Sequence, residues 1–356
     1  MLELIRTPLT ILVDESDTAS GVRPDARELP KPKRRLFNRT ASWSGEIGSL
    51  PSETMGHGTD DVTTGSVVSA DDTRIGYRRL GRGPGVILLH GGVNASQHMM
   101  RLGRVLADAY TAYLPDRRGR GMSGAFGPAY SIRREDEDLA ALVEHTGAEC
   151  VFGPANGGLF ALHGAIGLGQ VRRVAAYEPL LLWGGPDDAA IRRTFTTMQQ
   201  MIRGGRLGEG IVFSIRESVD REVRRGHMSS WVGTAVHAFP SRVGAGLIDL
   251  FLRYQRPRSG NVAWRELVAS LPAELDPVLE TEGTLEQYRQ LDARVLLTYG
   301  SETDPMFVDC AEALHAVLPH STILRLPELN HDSAQTYGKP ETIAAALRLF
   351  FGQSTT

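Results

Sequence analysis

From about residue 62 the chain alternates short apolar runs with longer stretches in which apolar residues recur every three to four positions. Gly85–His90 (GVILLH) is a continuous apolar run, the pattern of a strand covered on both faces of a parallel sheet. Further strands are expected at Tyr110–Pro115, Glu149–Gly153, Val171–Tyr177, Arg294–Tyr299 and Thr322–Pro327. Helical spacing predicts helices over Ser96–Ala109, from Ser131 onward, and over Asn156–Leu168, Met306–Leu318 and Glu341–Phe351. Thr64–Ala70 and Thr73–Leu80 read as a hairpin turning at Asp71-Asp72. Strands alternating with helices imply the α/β class, a doubly wound, mostly parallel sheet. Sites in such sheets form beyond the carboxyl ends of the strands.

Two regions break the alternation. Between Pro186 and Gln290 the pattern is helical. Ile191, Phe195, Met198 and Ile202 form one stripe, and Ile211, Phe213, Trp231, Phe239, Leu247, Phe251 and Trp264 follow. This stretch is expected to be a helical cap packing mostly on itself, with Trp183 at its entrance facing an apolar crevice. Residues 1–60 show no sustained period, and their basic cluster Lys31-Pro32-Lys33-Arg34-Arg35 reads as solvated chain. Leu9 to Val13 is too short for a signal-peptide core, and Met55 is a candidate start. The expected division is a disordered arm at 1–60, core at 61–180, cap at 181–290 and core again at 291–356.

Composition narrows the class. The 356 residues are 41% hydrophobic and 23% charged, enough to bury a large core. A net charge of −3 offers no case for nucleic acid, and no apolar run approaches the ~18 residues of a membrane span. A cytoplasmic protein is expected. Only Lys31, Lys33 and Lys339 are lysines among 39 basic residues, which fits a GC-rich coding sequence. Cys150 and Cys310 exclude a disulfide framework and a Cys₄ metal site, and read as small core residues. The acids Glu135 to Asp138 are expected to complement a helix N-terminus and face water. Gly119-x-Gly121-x-x-Gly124 matches a dinucleotide fingerprint, but Ala125-Phe126-Gly127-Pro128 follows it, so no helix N-terminus is there to take a pyrophosphate.

Six strand-end motifs carry the chemistry: His90-Gly91-Gly92-Val93-Asn94, Asp116 through Ser123, Gly153-Pro154-Ala155-Asn156-Gly157-Gly158, Tyr177-Glu178-Pro179, Gly300 through Pro305, and Asn330-His331-Asp332. In this order and spacing the chain, over about residues 62–352, resembles the α/β-hydrolase superfamily, in the branch with a helical cap after the sixth strand. The resemblance places Gly153–Gly157 at the nucleophile elbow, where the family carries G-x-S-x-G. Both glycines remain, but Ala155 stands where the serine belongs, and a methyl cannot form an acyl-enzyme.

The resemblance further implies His331 as the base, Asp304 as the acid that orients it, and backbone N–H groups of Gly92 and Asn156 as the oxyanion hole. Asp304 also suits capping of a helix begun by Pro305-Met306. His90 is expected to support the oxyanion loop, and Asn94 with Trp183 to meet substrate. A base and a charge-stabilising cradle without a nucleophile suit proton abstraction with a stabilised enolate or phenolate. The leading expectation is a cofactor-independent, non-hydrolytic enzyme that makes or breaks C–C bonds, or cyclises, on an apolar polycyclic or polyketide-like metabolite. Alternatives are a ligand-binding pseudoenzyme, or a hydrolase whose serine was engineered away or which uses water activated by His331. No metal, nucleic-acid or membrane partner is expected; a homo-oligomer is compatible with the chain.

Overall fold

The computed structural model describes residues 62–335 and 338–353; the arm expected at 1–60 lies outside the described residues. Strands β1 (Thr63–Val68) and β2 (Arg74–Leu80) pair antiparallel, with Thr63 opposite Arg79 and Val68 opposite Arg74. The turn between them places Asp72 at φ 62°, a left-handed conformation that Asp tolerates. Six more strands follow: β3 (Gly85–Leu88), β4 (Thr111–Pro115), β5 (Cys150–Pro154), β6 (Arg173–Tyr177), β7 (Arg294–Gly300) and β8 (Ser321–Leu326). The sheet order is β1-β2-β4-β3-β5-β6-β7-β8, parallel from β4 onward. This is the doubly wound, mostly parallel sheet expected from the sequence.

The unbroken apolar runs are explained by two separate cores, one on each sheet face. In β3, Ile87 joins one core while Val86 and Leu88 join the other; in β5, Val151 opposes Cys150 and Phe152. Helices α1 (Met100–Leu106) and α10 (Pro340–Phe351) cover one face. Helices α2 (Ile132–Thr146), α3 (Asn156–Gly164) and α9 (Pro305–Val317) cover the other. A turn containing Gly119, Gly121 and Gly124 precedes α2, with Gly119 N–H donating to Gly124 O at 2.7 Å, so the dinucleotide match opens no helix.

Between β6 and β7 lie five helices: α4 (Asp188–Arg203), α5 (Leu207–Arg224), α6 (Ser230–Ala238), α7 (Ser241–Tyr254) and α8 (Trp264–Glu280). The α4 stripe behaves as its spacing requires, with Ile191, Met198 and Ile202 buried and Phe195 half-buried. Each fully buried side chain of this size contributes about 1.5–3 kcal/mol. Self-packing of the cap fails further on: Trp231, Phe239, Leu247 and Phe251 are between 44% and 71% exposed. Helical spacing identifies a common face without supplying its partner.

The acids at the start of α2 also depart from expectation. Glu135 is buried against the Arg117 guanidinium at 2.8 and 3.0 Å, and Asp138 against Arg118 at 2.6 and 2.8 Å. Pairing each carboxylate with an arginine offsets the cost of burying it. Burial pushes the Asp138 carboxyl up to about 6 even with Arg118 opposing it. No group of three or more His, Cys, Asp or Glu among the described residues forms a metal cluster. Cys150 and Cys310 are free and buried, and burial raises their thiols to about 11 and about 12.

Candidate active site

Ala155 forms the corner between β5 and α3 at φ 49°, ψ −120°. A residue with a Cβ is strained there by about 1–3 kcal/mol, so the elbow keeps its shape although the hydroxyl is gone. Two glycines make the corner passable. A Cβ on Gly153 would stand 2.3 Å from the Gly157 carbonyl, and one on Gly157 would stand 2.7 Å from the His90 oxygen. Ala155 N–H donates to Tyr177 O at 3.0 Å, tying the elbow to the end of β6.

The next residue along from Tyr177 is the carboxylate that faces His331. Glu178 is fully buried at φ 50°, and its Oε2 lies 2.7 Å from His331 Nδ1. Its Oε1 accepts from Gly300 N–H at 2.9 Å. His331 is held on the same strand end a second time, because Tyr177 donates its hydroxyl proton to Asn330 O at 2.6 Å. Phe307 of α9 stacks on the imidazole, ring centroids 4.2 Å apart and planes 10° from parallel. The His331 side chain remains 35% exposed. Burial lowers the imidazole pKa, but the Glu178 hydrogen bond and charge outweigh it, so the pKa lies above its ordinary value.

Asp304, expected as the orienting acid, is engaged elsewhere. Its Oδ2 accepts from Arg221 Nη2 at 2.7 Å and Nε at 3.1 Å, and its Oδ1 accepts from Met306 N–H at 3.0 Å. It caps α9 and pins the cap through α5. The sequence presented two acids beyond adjacent strands, Glu178 after β6 and Asp304 after β7, and those strands pair Tyr177 with Thr298. Spacing along the chain cannot choose between neighbours in a sheet. The usable signal was Asp-Pro at a helix start, which offered capping as an alternative to the orienting role for Asp304.

The loop facing the elbow is His90–Asn94. His90 is wholly buried; its Nε2 accepts from Arg117 N–H at 3.1 Å, so the Nδ1 proton faces Gly91 O at 2.9 Å. Burial, with Arg120 and Arg117 nearby, holds its pKa well below the ordinary value, and the neutral ring supports the loop as expected. A Cβ on Gly91 would lie 3.6 Å from the Ala155 methyl, which places the loop directly against the elbow. Asn156 begins α3, where a backbone N–H has no acceptor within the helix. Asn94 donates to Gly92 O at 2.8 Å, bracing the loop from within.

Sequence reasoning missed Glu274. From α8 this fully buried carboxylate reaches Val93 N–H at 3.2 and 3.3 Å, takes the Ser270 hydroxyl at 2.7 Å, and sits 3.3 Å from Arg120 Nη1. This helix thereby contributes a charge to the loop His90–Asn94. Val93 itself adopts φ 54°. Around this loop three buried groups hold polar atoms without hydrogen-bond partners: Asn94 Oδ1, Asn156 Nδ2, and Arg120 Nε with Nη2. A Cβ on Gly92 would stand 3.2 Å from Asn156 Nδ2 and 3.3 Å from Glu274 Oε2. Trp183 is half-buried and lines a shallow hollow of about 10 Å³ with Leu181, Ile191 and Met306, edged by the Arg225, Asp187 and Asp309 charges.

No family model and no curated protein matches the chain. Among solved structures it is similar to an α/β hydrolase from Sphaerobacter thermophilus, with 25% identity, a TM-score of 0.59, and coverage of 81% of this chain and 100% of the other. It is similar also to an esterase from Rhodococcus, at 21% identity and TM-score 0.56, covering 82% of this chain and 98% of the esterase. An α/β hydrolase from a deep-sea metagenome aligns at 16% identity and TM-score 0.60, over 82% of this chain and 98% of that one.

Proposed function

From an α/β-hydrolase fold whose elbow carries alanine, we infer an enzyme that performs acid/base chemistry without a covalent intermediate. The observation that carries this reading is the His331–Glu178 pair, complete at 2.7 Å one residue beyond Tyr177, whose carbonyl binds the amide of an elbow that has no oxygen to activate. A carboxylate on Nδ1 fixes the tautomer and leaves Nε2 as the proton acceptor. His331 Nε2 takes a proton from the carbon alpha to a carbonyl, or from an enolic or phenolic hydroxyl conjugated with one. The electron pair moves onto the carbonyl oxygen, and the N–H groups of Asn156 and Gly92 receive that oxygen. Glu178 stabilises the imidazolium until the proton returns to the product.

General base catalysis supplies roughly 10²–10⁴-fold, and each preorganised oxyanion donor about 2.7–4 kcal/mol. These effects suffice for cyclisation or C–C bond formation or cleavage on an activated carbonyl compound. An apolar substrate of polycyclic or polyketide type is proposed from the apolar character of the helical segment between β6 and β7; the hollow beside Trp183, at about 10 Å³, has room for one water and does not itself hold such a substrate. No cofactor is assigned. The solved relatives named as hydrolase or esterase motivate one second reading, attack by water that His331 activates.

The test pairs two variants on a metabolite selected from extracts of the source organism by its rise in melting temperature. His331→Ala should abolish turnover, while Ala155→Ser leaves it unchanged or impaired and gives no burst on p-nitrophenyl acetate. Strong esterase activity in Ala155→Ser would instead favour a disabled hydrolase. Binding without product would make the protein a ligand carrier.

A further inference from the structure

Seven of the nine large hydrophobic side chains exposed among the described residues lie between Trp231 and Tyr254 of the cap. On α7, Val243, Leu247, Leu250 and Tyr254 are 51%, 57%, 54% and 68% exposed. Their spacing of four, three and four residues is the seam of a helix that packs lengthwise on a second helix. Phe251 flanks the seam. Phe239 borders it, since a Cβ on Gly244 would stand 3.3 Å from the Phe239 ring. The opposite side of α7 is already occupied: Ala245 and Leu252 are buried, and Asp249 accepts from Gly208 N–H of α5 at 2.9 Å. Beside the seam Gly246 is open, with nothing within 4 Å of an added Cβ, so another backbone can approach closely.

We propose that this face joins two copies of the chain in a two-fold dimer, α7 against α7. At the stated exposures the six side chains present on the order of 600 Å² of apolar surface, taking about 150–250 Å² for a whole aromatic side chain. The largest patch on a typical monomer is about 300–600 Å², whereas each partner of a standard interface buries about 800 Å². The patch therefore reaches the upper limit for a monomer and supplies most of what a stable dimer needs. A seam of Val, Leu, Leu and Tyr is also complementary to its own two-fold image, each knob meeting the same set of holes.

Sedimentation of the full chain at tens of micromolar tests this. Twice the chain mass is expected for the wild type. Leu247→Glu with Leu250→Glu should weaken self-association by roughly tenfold or more, with far-ultraviolet circular dichroism unchanged. Tyr254→Arg serves as a second variant should the first lose its helical signal. A wild-type monomer, or a dimer that both variants leave intact, overturns the proposal. So does a monomer that floats with phosphatidylcholine–phosphatidylglycerol vesicles, which would assign the face to a lipid surface.

Discussion

Glu178 commits both carboxylate oxygens, one to the Gly300 amide and one to His331, and has no exposure to water. Such a carboxylate sets the imidazole's orientation as well as its basicity. Glu178→Gln should lower turnover by roughly 10²–10⁴-fold. It also removes the charge that raises the His331 pKa, so the acidic limb of the pH–rate profile should move to lower pH. Asp304→Asn should leave that limb in place, because Asp304 faces Arg221 and the start of α9. A limb that moves with Asp304 and not with Glu178 would reverse the assignment. Both acids were visible in the sequence, as were Ala155, His331 and Asn156. What decided between the acids is a lateral relation across the sheet, which no spacing along the chain contains.

Among the elements, α8 and α5 each carry a buried ion-paired side chain from the segment between β6 and β7 to the rest of the fold. Arg221 of α5 meets Asp304, and Glu274 of α8 meets the Val93 amide under Arg120. Removing one partner of a buried pair leaves the other charge uncompensated, at about 3–5 kcal/mol. Glu274→Ala should therefore lower stability by that amount in urea titration. A loss below about 1 kcal/mol, the usual value of an exposed pair, would mean the carboxylate is solvated. The strands were legible because central strands, apolar on both faces, read as unbroken runs. The fate of the cap's apolar residues was not, since a stripe names a face and leaves its partner open. The same gap hid Glu135 and Asp138, whose arginine partners arrive from the loop after β4.

For the whole molecule, buried histidines set the acid response. His90 and His98 are both held below their ordinary pKa by burial, His98 at about 4. Between pH 6.5 and about 4 the unfolded chain binds protons there that the folded chain refuses, so stability falls as pH falls. His331 acts in the opposite sense: its pKa is raised on folding, so its contribution is present below 6.5 and lost as pH rises through the folded value. Asp138, whose carboxyl burial raises to about 6, acts in the same sense as His331, so the histidine contribution is isolated in His98→Asn: its urea midpoint should fall less from pH 7.5 to pH 5 than that of the wild type. An equal fall in both would show that other groups dominate. No helix among the described residues is long and apolar enough to cross a membrane.

Val93, Ala155 and Glu178, none of them glycine, hold backbone angles of φ 54°, 49° and 50° beyond the ends of β3, β5 and β6. Left to themselves all three would relax, each releasing about 1–3 kcal/mol. The surrounding sheet is what keeps them contorted, so the reactive geometry is a loan against the stability of everything around it. Mild denaturant should accordingly abolish the turnover proposed for this site before near-ultraviolet circular dichroism records any loss of tertiary structure.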